Sequence, residues 1–242
     1  MKGKSRSKKL ALFVLLVSFG ALLYSSALAF FAYTGTYYLA SDEAIALSRR
    51  QDASGNILFA PKSTPVAGLI FYPGAKVDER AYAPLSAKLA EQGVYVIIAK
   101  MPFHLAIFKT DAAATIKAEQ PTISSWYLCG HSLGGAMAAS YLADHVTEYS
   151  GLILLASYST KDLHSTSLKT CTIYGSEDQV LDQNKYQDSK ANLPANNHEI
   201  EIPGGNHGQF GDYGLQKGDG TASISREEQQ NQTVQAIVSL CQ

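Results

Sequence analysis

Charge is missing from the start of this chain: no charged side chain lies between Leu10 and Tyr33, and no acidic residue precedes Asp42. The run exceeds the roughly 20 helical residues that cross a bilayer's hydrocarbon core, and no polar face interrupts it. That pattern excludes a buried core helix. Cysteine is scarce as well, with only Cys129, Cys171 and Cys241. An odd number without regular spacing excludes a disulfide framework, and no pair has metal-ligand spacing, so no metal or other cofactor is expected. Cys129 and Cys171 lie in apolar, strand-like runs and read as small buried hydrophobes. Internal repeats and low-complexity tracts are absent. A basic surface is lacking too: Lys2, Lys4, Arg6, Lys8 and Lys9 precede the apolar run, and taking these five from the 20 Lys and Arg leaves 15 against 21 Asp and Glu. The body is mildly acidic, and no nucleic-acid partner is expected.

What is present begins with two readings of the N-terminus. Length, and apolar residues continuing through Phe30 and Phe31, favour an uncleaved signal anchor; the small-x-small sequence Ala27-Leu28-Ala29 fits a cleaved signal peptide. Residues 1–33 are therefore expected to be a basic segment followed by a transmembrane anchor, with the membrane as a partner. Under either reading the basic end stays in the cytoplasm and residues 34–242 lie outside it, tethered or secreted. The remaining length suits one domain with a single core.

In that body, strand-like and helix-like segments alternate, which predicts an α/β fold with a mostly parallel central sheet and helices on both faces. Strands are expected at Val66–Tyr72, Val94–Ala99, Trp126–Cys129, Leu152–Leu155, Cys171–Tyr174 and Glu199–Ile202, with a possible edge strand at Ile57–Phe59. Most are almost wholly apolar, as strands covered on both faces should be. Helical patterns fill Ala81–Gln92, Asp111–Glu119, Ser132–His145, Gln183–Ala191 and Arg226–Leu240. The last starts after a capping Ser225 with Glu228 three positions on. Only about 15 residues separate Leu155 from Cys171, barely a crossover unit, so no large lid domain fits there.

Gly130-His131-Ser132-Leu133-Gly134 fits Gly-x-Ser-x-Gly and stands between an apolar strand and an Ala-rich helix. A serine on that sharp turn is held exposed, the glycines avoid collisions with nearby backbone, and the helix N-terminus favours a developing oxyanion. A serine hydroxyl is a weak nucleophile, so it needs a base. Of the six histidines, His207 sits in the glycine-rich loop Gly204-Gly205-Asn206-His207-Gly208 after a predicted strand, at the carboxyl edge where open α/β sheets bind ligands. His131 reads as packing, and His145 and His164 as surface positions. The orienting acid should lie between serine and histidine. Asp178, just after the strand Cys171–Tyr174, fits best, with Glu177 and Asp182 as rivals. The loop Tyr72-Pro73-Gly74-Ala75-Lys76 should add an oxyanion donor, giving the amides of Ala75 and Leu133 as the pair. The segment Gly204–Thr221 could also bind a cation, although Asp212 and Asp219 lack an EF-hand spacing.

With Phe71-Tyr72-Pro73-Gly74-Ala75, Gly130-His131-Ser132-Leu133-Gly134-Gly135, Tyr174-Gly175-Ser176-Glu177-Asp178 and Gly204-Gly205-Asn206-His207 in view, the chain from about Val66 to Leu240 resembles the α/β-hydrolase superfamily. The kind it resembles is the small dienelactone-hydrolase-like and esterase-like one often tethered to bacterial membranes. The resemblance implies the α/β-hydrolase fold, a Ser132, His207 and Asp178 triad, and hydrolysis of a small-molecule ester through an acyl-enzyme. Two departures stand out: dienelactone hydrolases carry cysteine where this chain has Ser132, and the His-Gly oxyanion signature of many lipases is replaced by Pro73-Gly74. Acyl transfer to another acceptor, or a non-catalytic binding domain on the same fold, are the alternatives.

Overall fold

A computed structural model describes residues 15, 17–26, 30 and 35–242. The chain divides into two units, Met1–Tyr37 and Tyr38–Gln242. In the first, residues 17–26 are helical and exposed. Among the described residues no helix is long and apolar enough to cross a membrane. Half of the Leu10–Tyr33 run expected to do so, including Ala27-Leu28-Ala29, lies outside the described residues.

The second unit opens with a helix that no sequence pattern announced, α1 (Asp42–Leu47), capped by Ser41, whose hydroxyl accepts the Ala44 amide. Six residues are too few to display a helical period. There follow β1 (Ile57–Phe59), β2 (Ala67–Tyr72), α2 (Ala83–Glu91), β3 (Val94–Ile98), α3 (Ala112–Ala118), β4 (Trp126–His131) and α4 (Leu133–Leu142). The chain ends with β5 (Gly151–Leu155), β6 (Lys169–Gly175), α5 (Gln183–Ser189), β7 (His198–Ile202) and α6 (Arg226–Cys241). The expected strands are all present, within a few residues of their expected ends. The helix foreseen over Ala81–Gln92 is divided: a 3-10 turn covers Glu79–Tyr82 and the α-helix starts afterwards. Pro84 lies in its first turn, where its missing N–H costs nothing and from which no α-helical bond can run back to Arg80.

The seven strands form one sheet in the order β1-β3-β2-β4-β5-β6-β7. Only β1 runs antiparallel, Ile57 pairing with Ile98; every other neighbour is parallel. Alternation along the strands feeds two cores. Leu69, Phe71, Val96, Ile98, Tyr127, Cys129, Ile153 and Ile173 pack with Leu85 and Leu89 of α2 and Val234 and Ile237 of α6. Ile70, Tyr72, Ile97, Leu128, Leu152 and Leu154 pack with Ala113 and Ile116 of α3 and Ala138 and Leu142 of α4. Each such Leu- or Ile-sized side chain stabilises the fold by roughly 1.5–3 kcal/mol when fully buried. Both faces of the sheet are thus helix-covered. All three cysteines are buried free thiols. Between β5 and β6 the chain crosses without a helix, so no lid is inserted there.

Candidate active site

The turn from β4 into α4 is tight. Ser132 has φ 52° and ψ −126°, a left-handed backbone that L-residues adopt only under external constraint, at a cost of roughly 1–3 kcal/mol. That constraint is visible in its bonds: the Ser132 amide donates to Leu155 O at 2.9 Å, and Ser157 Oγ donates to Ser132 O at 2.7 Å. The flanking glycines are needed for space. A Cβ on Gly130 would lie 2.4 Å from the Gly135 nitrogen, and one on Gly134 would lie 2.2 Å from Tyr72 O. The second contact shows how closely the start of α4 approaches the loop after β2. Leu133 is the first residue of α4, so its N–H has no intrahelical acceptor. The half-buried Ala75 amide likewise has no acceptor among the described residues, whereas its neighbour Lys76 donates to His104 O at 2.8 Å.

Two further loops meet at the ends of β6 and β7. Gly175 approaches Gly205 so closely that a Cβ would fall 2.2 Å from the Gly205 carbonyl carbon. Glu177 N donates to Gly205 O at 2.8 Å and Gly204 N to Ser176 Oγ at 2.8 Å. This seam brings His207 Nδ1 to 2.9 Å from Asp178 Oδ2, with both side chains buried. The other carboxylate oxygen, Oδ1, accepts the amides of Val180 and Leu181 at 2.9 and 2.8 Å. A carboxylate with only acceptor sites forces the imidazole proton onto Nδ1, which leaves the Nε2 lone pair free in the neutral ring. Among the described residues Nε2 has no hydrogen-bond partner. His207 and Ser132 line the same cavity of about 220 Å³, with Leu133, Ala156, Tyr158 and Leu181.

The rival acids are occupied elsewhere. Glu177 accepts Ser176 Oγ, and the exposed Asp182, although it lines the same cavity as Ser132 and His207, commits its carboxylate to capping α5 by accepting the Lys185 amide. Hollows of about 560 Å³ between β7 and α6 and about 720 Å³ beside β1 exceed the serine cavity; the first is lined by Cys171 and His198 on paired strands, but burial pushes the Cys171 thiol up to about 12, and the second is lined by no histidine or cysteine. Among the described residues no group of three His, Cys, Asp or Glu side chains could hold a metal ion. In the Gly204–Thr221 segment, Asp212 accepts Ser41 Oγ and pairs with Arg226, while Asp219 Oδ1 and Oδ2 accept the amides of His207 and Gly208 at 3.2 and 2.8 Å. Asp219 therefore shapes the histidine loop, a role its isolated position in a polar stretch did not signal. Gln229 of α6 does the same from below: Oε1 accepts Asn206 N at 2.9 Å and Nε2 donates to Asn206 O at 2.8 Å.

Of the other histidines, His164 is exposed and His145 stacks on Tyr141 with ring centroids 4.1 Å apart. His131 is buried, its ring 4.5 Å from that of His207. Burial above all, then the neighbouring His207, holds its pKa well below the usual imidazole range.

The model of the alpha/beta hydrolase family matches residues 68–231, most of the body described above, and the chain belongs to that family. Three solved structures share the fold. Est1E from Butyrivibrio proteoclasticus has a TM-score of 0.60 at 14% identity, over 78% of this chain and 97% of its own. An esterase domain from a Rhodothermus marinus protein gives 0.58 at 13%, over 78% and 94%. A CIB-like hydrolase from Thermoplasma acidophilum gives 0.56 at 14%, over 78% and 96%. A comparison with curated proteins returned no match.

Proposed function

We propose that this protein is a serine hydrolase that cleaves small carboxylic esters through an acyl-enzyme. Ser132 is the nucleophile, His207 the general base and acid, and Asp178 the group that orients the imidazole. The observation that carries the reading is that His207, whose Nδ1 is committed to Asp178 and whose Nε2 has no partner among the described residues, lines one cavity with the strained Ser132. Fold relatives with esterase in their names favour ester substrates, among them Est1E with bound ferulic acid.

In the first stage Ser132 Oγ attacks the ester carbonyl while Nε2 takes its proton; the tetrahedral oxyanion turns towards the amides of Ala75 and Leu133. The imidazolium, stabilised by Asp178, then protonates the leaving alcohol. Water repeats the sequence on the acyl-Ser132 bond and releases the carboxylic acid. A cavity of about 220 Å³ suits a small acyl group. The uncharged run Leu10–Tyr33 behind five cations serves in this reading as a signal anchor that keeps residues 34–242 at the outer side of the membrane. Cleavage after Ala29 would instead release them.

A fluorophosphonate probe tests the chemistry. Ser132 should become labelled in the wild type, and Ser132→Ala should lose labelling together with roughly 10⁴-fold or more of its ester turnover while folding normally, since the triad acts as a unit. An active preparation whose label lands on another residue would remove Ser132 from the mechanism.

A further inference from the structure

Directly beneath the Ser132 and His207 pair lies a buried polar group that the mechanism above leaves unused. Tyr82 and His131 are almost wholly inaccessible, at 0% and 1% exposure, and Tyr82 Oη lies 2.8 Å from His131 Nδ1. The same Oη accepts the Gly74 amide at 3.0 Å. With one lone pair taken by that N–H, the arrangement that leaves no hydroxyl proton stranded has Tyr82 donating to His131 Nδ1. The imidazole proton then resides on Nε2, a buried atom with no hydrogen-bond partner among the described residues. His131 is neutral in this setting, as its lowered pKa requires.

The geometry ties three catalytic segments to one point. Gly74 immediately precedes Ala75, and a Cβ on Gly74 would come within 2.8 Å of both Tyr82 Oη and His131 Nδ1, so the loop backbone rests on the pair. His131 immediately precedes Ser132 and lies against His207. The Tyr82 ring is itself clamped, 4.6 Å from Phe71 and 5.7 Å from His131 between ring centroids, and the far side of His131 meets Phe210 at 5.7 Å. Packing thus holds the rings, and the Tyr82 hydroxyl ties them by a hydrogen bond to the Gly74 amide in the loop after β2. Replacing both members of a buried hydrogen-bonded pair by apolar groups of the same shape can be nearly neutral for the fold, so stability alone does not account for this pair.

We propose that Tyr82 and His131 are positioning residues for the reaction: the chain Gly74 N–H to Tyr82 Oη–H to His131 Nδ1 sets the Ala75 amide at the height of the oxyanion formed on Ser132. This rests on the serine-hydrolase reading above. Its physical content is that the Ala75 peptide is fixed before substrate arrives, which is where preorganised donors gain their advantage over water.

The test uses the full-length protein and p-nitrophenyl acetate. Tyr82→Phe keeps the ring and removes the link. Its kcat should fall about tenfold with KM within about twofold, short of the 10²- to 10³-fold that loss of an oxyanion donor brings, because the amide is displaced and not deleted. Inhibition by an aryl trifluoromethyl ketone, which forms the tetrahedral oxyanion, should weaken by a similar factor. A purely structural role would lower the melting temperature and leave both ratios alone. His131→Leu should behave as Tyr82→Phe does, while His131→Asn, whose Oδ1 stands near the place of Nδ1, should recover most of the lost kcat. Wild-type kcat in Tyr82→Phe and His131→Leu, a loss confined to KM, or His131→Asn no better than His131→Leu would each overturn the proposal. If Tyr82→Phe does not fold, the two His131 variants decide alone. Ser132→Ala separates the levels: should it remain active, the hydrolase reading fails and takes this one with it, whereas a dead Ser132→Ala beside unimpaired positioning variants defeats only the present proposal.

Discussion

At the Ser132 elbow the backbone is held by close approach of main chain to main chain. Gly130 and Gly134 leave no space for a Cβ, and the turn is pinned by Leu155 O and Ser157 Oγ. The loop that carries His207 is held by the opposite means. Its fixed points are side chains reaching backbone amides: Asp219 at His207 and Gly208, Gln229 at Asn206, and Asn206 Nδ2 at Gly220 O. Steric exclusion tolerates no substitution and yields a short, recurrent motif. Polar stapling can be assembled from many residues and leaves no fixed spacing, so the two halves of one site differ in how they fail when altered.

Breaking the elbow should have the larger effect. Gly134→Ala places a methyl group 2.2 Å from Tyr72 O, a backbone atom that cannot swing aside. Overpacking of this kind costs about 1–3 kcal/mol or more, and relief by moving α4 would carry Leu133 N away from the oxyanion. Urea denaturation should show a lower midpoint at unchanged slope, with turnover reduced at least about a hundredfold even where the variant is folded. Near-normal turnover would mean that the approach of α4 to the β2 loop is not required.

Breaking the staple should be milder. Asp219→Ala leaves the buried amides of His207 and Gly208 without their carboxylate, a loss of about 1–3 kcal/mol, and lets the imidazole wander. Turnover should drop about tenfold while fluorophosphonate labelling of Ser132 persists at a reduced rate. If labelling and turnover both matched the wild type, the loop would owe its shape to Gln229 and the glycines alone.

The smallest effect concerns pH and sharpens the contrast between His131 and the exposed histidines. Burial, first, and then His207 hold the folded pKa of His131 well below the usual value. Below the unfolded pKa of about 6.5 the denatured chain takes up a proton that the folded one refuses. His131 therefore contributes stability above that pH and loses it progressively as pH falls. Denaturation midpoints measured at pH 7.5 and 5.0 should differ more for the wild type than for His131→Leu. Equal differences would show that other groups govern the acid limb.

Much of the site was readable before any coordinates. Ser132 was marked by flanking glycines between an apolar strand and an Ala-rich helix, because steric demands at a sharp turn restrict residue type. His207 and Asp178 followed from chain order and from their positions after strands, which parallel topology places at one edge of the sheet. Asp178 could be separated from Glu177 and Asp182 only by three-dimensional contacts, since three acids within five positions look alike as a string. The contacts of Asp219, Gln229 and Tyr82 were not legible for the same reason: each reaches a backbone amide elsewhere in the chain, and neither residue type nor spacing records that partner. The short helix α1 escaped because its signal is a single Ser cap without a period.

Linear order, apolar alternation and the few places where only glycine fits were enough to determine the α/β class, the strand set and the sharp turn that carries Ser132, because those features follow from local sterics and from which faces must be buried. Tertiary structure alone decided which carboxylate meets His207, that its Nε2 has no partner among the described residues, and that a tyrosine and a histidine lie buried against the same loops. These are meetings between residues distant in sequence, settled by strand pairing and by how closely the loops at one sheet edge can approach.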